Sequence, residues 1–303
     1  MWRIWAAALF WGLNWPAIKV LLSGASPWTL RAVGLAGGAA LLAVATRALG
    51  QSLAVRRADW GKVFVAGMLN CAAFNVLAAF AQMSLSASRA AILTYTMPLW
   101  SVLFARLILA EPIDRLRAGA LVLGAGGIAL LAHPFWSVIA AGRLPSGLVF
   151  VLLGAIAWAA GTVYMKWAKP AGDPLGVTTW QFVVGAVAAA LGMLAFESPR
   201  LELWRPEIAA SLAYNIVFPQ AAAYALWFTL MSRVPASTAA LGTLLVPICA
   251  VTASSIWLGE RLGALDYLGF ALILGGVLLD QGVRAWAARN LAGKPPVGPT
   301  LVR

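Results

Sequence analysis

Residues 87–130 read ASRAAILTYTMPLWSVLFARLILAEPIDRLRAGALVLGAGGIAL, and residues 236–279 read ASTAALGTLLVPICAVTASSIWLGERLGALDYLGFALILGGVLL. Shifting the first stretch by 149 residues aligns it with the second without a gap. The rarer residue types then coincide, namely Pro98 with Pro247, Glu111 with Glu260, and Gly126-Gly127 with Gly275-Gly276. Matches of Leu or Ala arise by chance in an apolar chain, but matched Pro, Glu and Gly-Gly do not. The sequence therefore predicts an internal duplication.

The duplication extends to the rest of the chain. A shift of 147 residues pairs Trp11 with Trp158, close to the start of each half. We therefore predict one repeat over residues 1–133 and a second over residues 134–283. A polar cytoplasmic tail without regular structure is predicted for residues 284–303.

Composition indicates that most of the chain contacts lipid or other protein segments. Hydrophobic residues make up 62%, charged residues only 11%, and the mean hydropathy is +0.86, whereas about a quarter of a soluble domain is charged. Roughly 20 apolar residues cross a bilayer core. The apolar runs predict an all-α integral membrane protein with ten spans, which are residues 4–22, 29–49, 61–83, 88–109, 116–132, 146–168, 178–196, 207–230, 236–258 and 264–279.

The number of spans in each half determines how the halves are oriented. Because each half has five spans, the second half must cross the membrane in the opposite sense to the first. The fold predicted is therefore two inverted-topology five-helix repeats. Such repeats recur in secondary transporters, because two related halves around a pseudo-two-fold axis can alternate access to a site at the midplane.

The positive charge of the chain indicates topology rather than a ligand. A net charge of +12 would suggest nucleic acid in a soluble protein, but the Lys and Arg residues lie singly between apolar runs, so no nucleic acid partner is predicted. With the N-terminus inside, fifteen of the 22 flank cytoplasmic ends of spans and seven flank outer ends. Since cytoplasmic loops carry an excess of Lys and Arg, both termini are predicted to be cytoplasmic.

The acidic residues and the histidine do not form a site for chemistry. All ten acidic residues fall in predicted loops or at span ends, and the chain has one histidine. No His, Cys, Asp and Glu cluster provides metal ligands or a nucleophile with its base, so we predict no enzyme, no metal and no cofactor. Intramembrane carboxylates are the usual proton relays of coupled pumps, so their absence predicts facilitated transport.

Neutral polar and aromatic side chains remain at the predicted midplane. The candidate substrate-binding residues are Trp11, Asn14, Phe74, Asn75, Tyr95, Trp158 and Tyr224. Trp11 and Asn14 are three residues apart and share one helix face. Aromatic rings bind flat apolar ligands by stacking and cationic ligands by cation–π attraction. Packing between helices is the alternative role for each of these residues.

Two prolines lie within spans four and nine at equivalent positions, Pro98 and Pro247. Proline removes a backbone hydrogen bond and can kink a helix. A static kink is one interpretation of this pair. Because alternating access needs helices that bend in both halves, we predict that both prolines are hinges.

Short motifs recur at matching places in the two halves. Residues 90–98 correspond to residues 239–247, and Leu109-Ala110-Glu111-Pro112 corresponds to Leu258-Gly259-Glu260-Arg261. A further motif, Trp11-Gly12-Leu13-Asn14, lies in the first span. With these motifs the chain resembles the drug/metabolite transporter superfamily, EamA type, over nearly its whole length. The resemblance implies a ten-helix transporter with two related halves. The chain is most similar to the YddG branch, which implies export of aromatic amino acids and of some aromatic or cationic xenobiotics.

The sequence and the resemblance together favour a transporter that exports small aromatic or neutral amino acids across a bacterial inner membrane by alternating access. Its predicted partners are the small-molecule substrate, possible aromatic cations among them, and the lipid bilayer, and a monomer is favoured. A multidrug exporter of organic cations remains an alternative that would need an intramembrane carboxylate. A nucleotide-sugar-type transporter is another, and it would need several basic residues at depth. A membrane-embedded enzyme or a structural subunit is a third.

Overall fold

The structure, a computed structural model, describes residues 2–226 and 245–292. These residues form helices joined by short connections, and no β-strand occurs among them. One isolated backbone bridge joins Ala25, after the first helix, to Leu201 in the second half. The predicted all-α class is confirmed for this part of the chain.

In the first half, proline and side-chain caps set several helix starts. The helices are α1 (Trp2–Leu21), α2 (Pro27–Ala48), α3 (Trp60–Ala66), α4 (Phe74–Ser84), α5 (Ala87–Thr94), α6 (Met97–Leu109), α7 (Arg115–Leu131) and α8 (Trp136–Ala140). Pro27 occupies the first position of α2, where its missing N–H is not needed. The side chains of Ser86 and Asp114 accept backbone hydrogen bonds at the starts of α5 and α7. Residues Gly67–Ala73 join α3 to α4 as a π-helix, which we call the first π-segment.

The second half follows the same order. Its described helices are α9 (Ser146–Ala168), α10 (Pro174–Phe196), α11 (Pro206–Asn215), α12 (Leu245–Leu258) and α13 (Ala264–Ala292). Residues Ile216–Ala222 continue α11 as a second π-segment, and helical backbone extends from there to Leu226. Parts of predicted spans eight and nine lie in residues 227–244, outside the described residues.

Several of these helices can cross a bilayer by length and composition. Five candidates are Pro27–Ala48, Arg57–Ser84, Ala87–Leu109, Ser146–Ala168 and Pro174–Phe196. A sixth would be α7 taken with the short helix after it, although the chain bends by 53° between them. The larger number of ten spans stays a prediction, because α1 carries polar residues, α12 is short, and part of the second half lies outside the described residues.

The end of the chain differs from the prediction. The last span was expected to end at residue 279 and to be followed by an irregular tail from residue 284. Instead α13 continues without a break to Ala292. Asp280, expected at a helix end, therefore lies inside α13, where it is 1% exposed and 3.7 Å from Arg117 at the start of α7.

Helices pack in pairs that match when the two halves are exchanged. Under the shift found in the sequence, α1, α2, α3, α6 and α7 correspond to α9, α10, α11, α12 and α13. Corresponding helices pack on each other in two cases, α2 on α10 and α7 on α13. Other contacts come in pairs that the exchange of halves relates. The packing of α1 on α12 matches that of α9 on α6. The packing of α2 on the second π-segment matches that of α10 on the first.

Glycine allows the closest of these approaches. A Cβ on Gly127 of α7 would lie 2.7 Å from the carbonyl oxygen of Gly269, and one on Gly276 of α13 would lie 2.7 Å from that of Ala120. These distances are too short for a side chain. One glycine of each predicted Gly-Gly pair therefore sets the separation of α7 and α13.

The two π-segments occupy equivalent places in the halves. The shift of 149 residues carries residues 67–73 onto residues 216–222. A π-helix is rare, forms mostly as a single turn inside an α-helix, and is frequent at functional sites. Both halves thus have the same irregular turn in the helix that leads into predicted site residues, Asn75 in one half and Tyr224 in the other.

Candidate functional site

Four of the predicted site residues form one aromatic cluster. The ring of Tyr224 meets Trp11 at 5.7 Å between centroids and Trp158 at 6.4 Å, both edge to face. Trp158 in turn meets Phe74 at 4.9 Å. Tyr224 also contacts Phe182 at 4.9 Å, a buried ring that the sequence analysis did not single out. This aromatic cluster, comprising Trp11, Phe74, Trp158, Phe182 and Tyr224, joins helices of both halves.

The second π-segment holds one edge of the cluster. The indole Nε1 of Trp11 donates a hydrogen bond of 3.1 Å to the carbonyl oxygen of Pro219. Pro219 lies within the π-segment. A tryptophan on α1 is thereby tied to the irregular turn that precedes Tyr224, so movement of either element would change the geometry of the cluster.

Asn14 pairs with a second asparagine. The Nδ2 of Asn215, at the end of α11, donates to the Oδ1 of Asn14 at 2.7 Å. Asn215 packs directly over Gly34 of α2, where an added Cβ would lie 2.8 Å from its Oδ1. Asn215 is fully buried. The pair therefore links α1, α2 and α11 beside the aromatic cluster, as expected for amides that lipid cannot satisfy.

Asn75 lies at the centre of a second, polar cluster. Its Oδ1 is 3.4 Å from Nη1 of Arg31 on α2 and 3.5 Å from Nε2 of Gln220 in the second π-segment. Its own Nδ2 donates to the carbonyl oxygen of Cys71 at 2.9 Å. Arg31, Asn75 and Gln220 are all buried. We call these three residues the polar cluster.

Arg31 is a basic residue near a span end whose burial the sequence alone did not establish. It was counted among the basic residues that flank outer ends of spans, yet only 1% of its surface is exposed. Since α2 begins at Pro27, Arg31 lies in the second helical turn and its side chain packs between helices. The sequence feature that indicates burial of Arg31 is its position one turn inside an apolar run that starts at Pro27, where it is a single charge.

Tyr95 lies apart from the aromatic cluster. It follows the last residue of α5, and its N–H bonds back to Ala91 and Ile92 where the span breaks before α6. No ring contact joins Tyr95 to the cluster among the described residues. Its role in substrate binding stays a prediction.

The predicted hinge at Pro98 coincides with this break. α5 ends at Thr94, α6 begins at Met97, and Pro98 occupies the first turn of α6. Proline restricts the residue before it and cannot continue the hydrogen bonds of a preceding helix. Pro247 lies in the first turn of α12 as described, and the residues before α12 are outside the described range. Bending at these positions stays a prediction.

An apolar cavity of about 370 Å³ is lined by none of the residues of either cluster. It opens between α2 and α10 and is lined mainly by alanine and valine, with Trp180 at one side. The residues around it are Ala36, Ala39, Ala40, Ala43, Leu53, Thr179, Trp180, Val183, Ala186 and Val187. It contains none of the predicted site residues.

Carboxylates lie near helix ends or in connections, with Asp280 as the exception. Asp266, in the first turn of α13, is nearly buried and pairs with Arg89 at 2.6 Å. Just before α11, the hydrogen bonds that Arg205 donates to Glu207 and Glu202 raise the pKa of Arg205. No three His, Cys, Asp or Glu side chains of the described residues could together hold a metal ion.

Comparison with known proteins points to one family. The sequence profile of the EamA-like transporter family matches residues 2–132 and again residues 145–279. The chain is 28% identical over 275 residues to the uncharacterized transporter YvbV of Bacillus subtilis (strain 168), covering 89% of this chain and 88% of that one. It is 26% identical over 292 residues to a probable terminal-alkyne amino-acid exporter of Streptantibioticus cattleyicolor, covering 92% of each.

A solved structure shows the same fold. A known crystal structure of a protein superposes with a TM-score of 0.64 at 23% sequence identity. The match covers 97% of this chain and 98% of the other. The arrangement of helices described above is therefore one that a natural protein adopts.

Proposed function

This chain belongs to the EamA-like transporter family, and we propose that it carries aromatic and other neutral amino acids out of the cell through the aromatic cluster, by alternating access and without proton coupling. As a family member it is a multi-pass membrane transporter rather than an enzyme. One observation above all supports the substrate class, namely the single cluster that Trp11, Phe74, Trp158 and Tyr224 form from both halves.

The geometry of that cluster suits a flat ligand. Its ring pairs meet edge to face, a geometry that the ring of a flat substrate can also adopt against indole and phenol rings. Each aromatic pair is worth about 0.5–1.5 kcal/mol beyond the area it buries. A substrate ring that enters the cluster would replace contacts between protein rings by contacts of similar strength with itself. The net change in free energy on entry would therefore be small.

Matched contacts between the halves support the alternating mechanism. The paired packing of α1 on α12 and α9 on α6, together with the π-segments at equivalent positions, is what an inverted repeat of five spans each would produce. The family profile matching twice supports the same division. In such a repeat, each half takes up the conformation of the other when access alternates. We expect the helices to bend at the π-segments and at the break before Pro98, because the regular helical hydrogen bonds are already interrupted there.

The charges support facilitated export across the inner membrane, with both termini in the cytoplasm. No carboxylate contacts the aromatic cluster among the described residues, so no proton relay is available there. Arg31 also repels organic cations, which makes the multidrug alternative less suitable. A nucleotide diphosphate would need more cations than the polar cluster offers. The relative named as an amino-acid exporter supports the amino acid class.

The test is uptake of radiolabelled tryptophan and phenylalanine into proteoliposomes that contain the purified protein. Trp158→Ala should lower the uptake rate at low substrate by about tenfold, because two ring contacts are lost. Trp204→Ala is the matched control, since that tryptophan is 78% exposed in a loop. Imposing a pH gradient should leave wild-type uptake unchanged. Absence of uptake by folded wild-type protein would overturn the amino acid assignment, and strict dependence on the gradient would overturn facilitated transport.

A further inference from the structure

Arg31 is a buried cation without an acidic partner. The residue is 1% exposed, and its guanidinium extends from α2 to Asn75 of α4, which also contacts Gln220 of the second π-segment. The contact to Asn75 is long, at 3.4 Å, and the Nε has no hydrogen-bond partner. The donors of this side chain are thus largely unused.

No carboxylate of the chain neutralises it. All ten acidic side chains lie in the described residues, and each pairs with another cation or accepts a hydrogen bond elsewhere. Glu197 comes to the same end of α2, but its Oε1 accepts from the N–H and the hydroxyl of Thr29. Arg31 therefore carries an uncompensated charge inside a membrane protein.

Such a charge is costly unless a counter-ion arrives. Buried charges in proteins are paired or bind ions, and an ionisable side chain within a membrane-spanning segment usually belongs to a functional site. The planar guanidinium fork matches the two oxygens of a carboxylate, which it binds through two parallel hydrogen bonds. The missing partner of Arg31 is best supplied by a substrate carboxylate.

The polar cluster adjoins the aromatic cluster. Asn75 follows Phe74 directly, and Gln220 precedes Tyr224 by four positions, so that their side chains leave the same side of the helix. Gln220 and Phe182 both pack over Gly38 of α2, where an added Cβ would meet each within 3.1 Å. A cation for a carboxylate and rings for an aromatic side chain are therefore neighbours.

We propose that Arg31 binds the carboxylate of the transported amino acid while the aromatic cluster receives its ring. This rests on the proposed function and names the group that distinguishes amino acids from amines. In the structure Asn75 of α4 occupies one of the Arg31 donors, so a substrate would replace that amide when α2 separates from α4. The site then takes aromatic carboxylates and rejects aromatic amines that lack a carboxylate.

The experiment compares two competitors of phenylalanine in the same proteoliposomes and in binding to the detergent-purified protein. One is 3-phenylpropionate, which has the carboxylate and no ammonium group, and the other is 2-phenylethylamine, which has the ammonium group and no carboxylate. Wild type should prefer 3-phenylpropionate by about tenfold or more, as charge-assisted hydrogen bonds predict. Arg31→Met, which keeps an unbranched apolar side chain but removes the guanidinium, should reduce that preference to about twofold or less, within what the ring contacts alone provide.

Two further variants keep the result interpretable. Arg31→Lys retains the charge without the fork, so it should keep the direction of the preference while binding 3-phenylpropionate more weakly than wild type by about threefold to tenfold. It also serves if Arg31→Met fails to fold. Arg205→Met is the matched control, because that arginine pairs with Glu202 and Glu207 in the loop before α11; it should behave as wild type.

The outcomes separate this inference from the proposed function. Transport of phenylalanine with no preference between the competitors, or a preference that survives in Arg31→Met, would overturn the assignment of Arg31 and leave the amino acid exporter standing. A second outcome is that neither amino acid is transported while binding of the carboxylate still depends on Arg31. That result would overturn the proposed substrate and support the carboxylate site. Carboxylate binding that is equal in wild type and in both Arg31 variants would overturn the site.

Discussion

Positions 75 and 224 are related by the shift of 149 residues that relates Pro98 to Pro247, yet one is asparagine and the other tyrosine. Each follows a π-segment at an equivalent place in its half. Asn75 lies between Arg31 and Gln220, whereas Tyr224 lies among three aromatic rings. The backbones match while the chemistry differs.

This difference shows how a symmetric frame can hold an asymmetric ligand. An amino acid with an aromatic side chain has a charged end and a flat apolar end, so two identical half-sites would suit neither. If the pseudo-two-fold relation places the two positions on opposite sides of one site, asparagine with Arg31 provides the polar end and tyrosine the aromatic end. In that case the equivalent backbones of the two halves would support alternating access, and the different residues at positions 75 and 224 would recognise the two ends of the substrate.

The largest expected effect comes from removing the aromatic end. Tyr224→Ala deletes three ring contacts and leaves space between the halves, so tryptophan uptake at low substrate should fall by about 100-fold. Asn75→Ala should lower uptake by about tenfold, because Arg31 and Gln220 lose the amide that positions them before substrate binds, while the rings remain. The measurement is the initial rate of proteoliposome uptake for tryptophan and for leucine.

The two variants should differ in selectivity as well as in rate. Tyr224→Ala should lose discrimination in favour of tryptophan over leucine, whereas Asn75→Ala should affect both substrates alike. Equal loss of discrimination in both variants would contradict the division into a polar and an aromatic end. Protein that remains monodisperse by size exclusion is required for either reading.

A second prediction tests whether the halves are equivalent where chemistry is not involved. Gly127→Val and Gly276→Val each place a side chain against a backbone carbonyl of the facing helix, so each should lower stability by about 2 kcal/mol. The thermal midpoint of the purified protein, followed by size exclusion after heating, measures the loss. The two losses should agree closely, because α7 and α13 approach each other at equivalent glycines.

Adjacent glycines provide the controls for that pair. An added Cβ on Gly126 would lie 3.6 Å from a leucine side chain, and one on Gly275 would meet nothing within 4 Å. Gly126→Val and Gly275→Val therefore change the helix propensity equally but not the helix separation, and should remain near wild type. A loss at Gly127 without one at Gly276 would argue that the halves pack differently in the membrane.

Residue patterns predicted the helices because bilayer-length apolar runs leave the backbone few alternatives. They also predicted the aromatic cluster in part, since Trp11 and Trp158 are repeat counterparts and both lie in it. The π-segments could not be predicted in this way. Residues 67–73 and 216–222 share only a terminal Ala-Ala pair, and the extra residue per turn is set by packing against α10 in one half and α2 in the other.

The burial of Arg31 could not be established from the sequence for a related reason. Counting basic residues near span ends treats every arginine within a turn of a loop as solvated, and long side chains at such places often do reach the interface. Whether the side chain of an arginine points to solvent or into the protein depends on the helices that pack against its own helix. For Arg31 these neighbours include α4 and the second π-segment, which lie far away in the sequence. The apolar pattern also did not reveal the break after α5 at which Tyr95 lies.

The smallest effect concerns the two tryptophans that are repeat counterparts. Trp11 donates its indole N–H to Pro219, whereas the indole N–H of Trp158 has no acceptor among the described residues. Trp11→Phe keeps a ring and loses a hydrogen bond worth about 1 kcal/mol, so tryptophan uptake at low substrate should fall about fivefold. Trp158→Phe keeps the ring and loses no hydrogen bond, so its rate should stay within about twofold of wild type. Equal effects at both positions would mean that the link between α1 and the second π-segment contributes nothing to transport, and that the asymmetry of the halves is confined to positions 75 and 224.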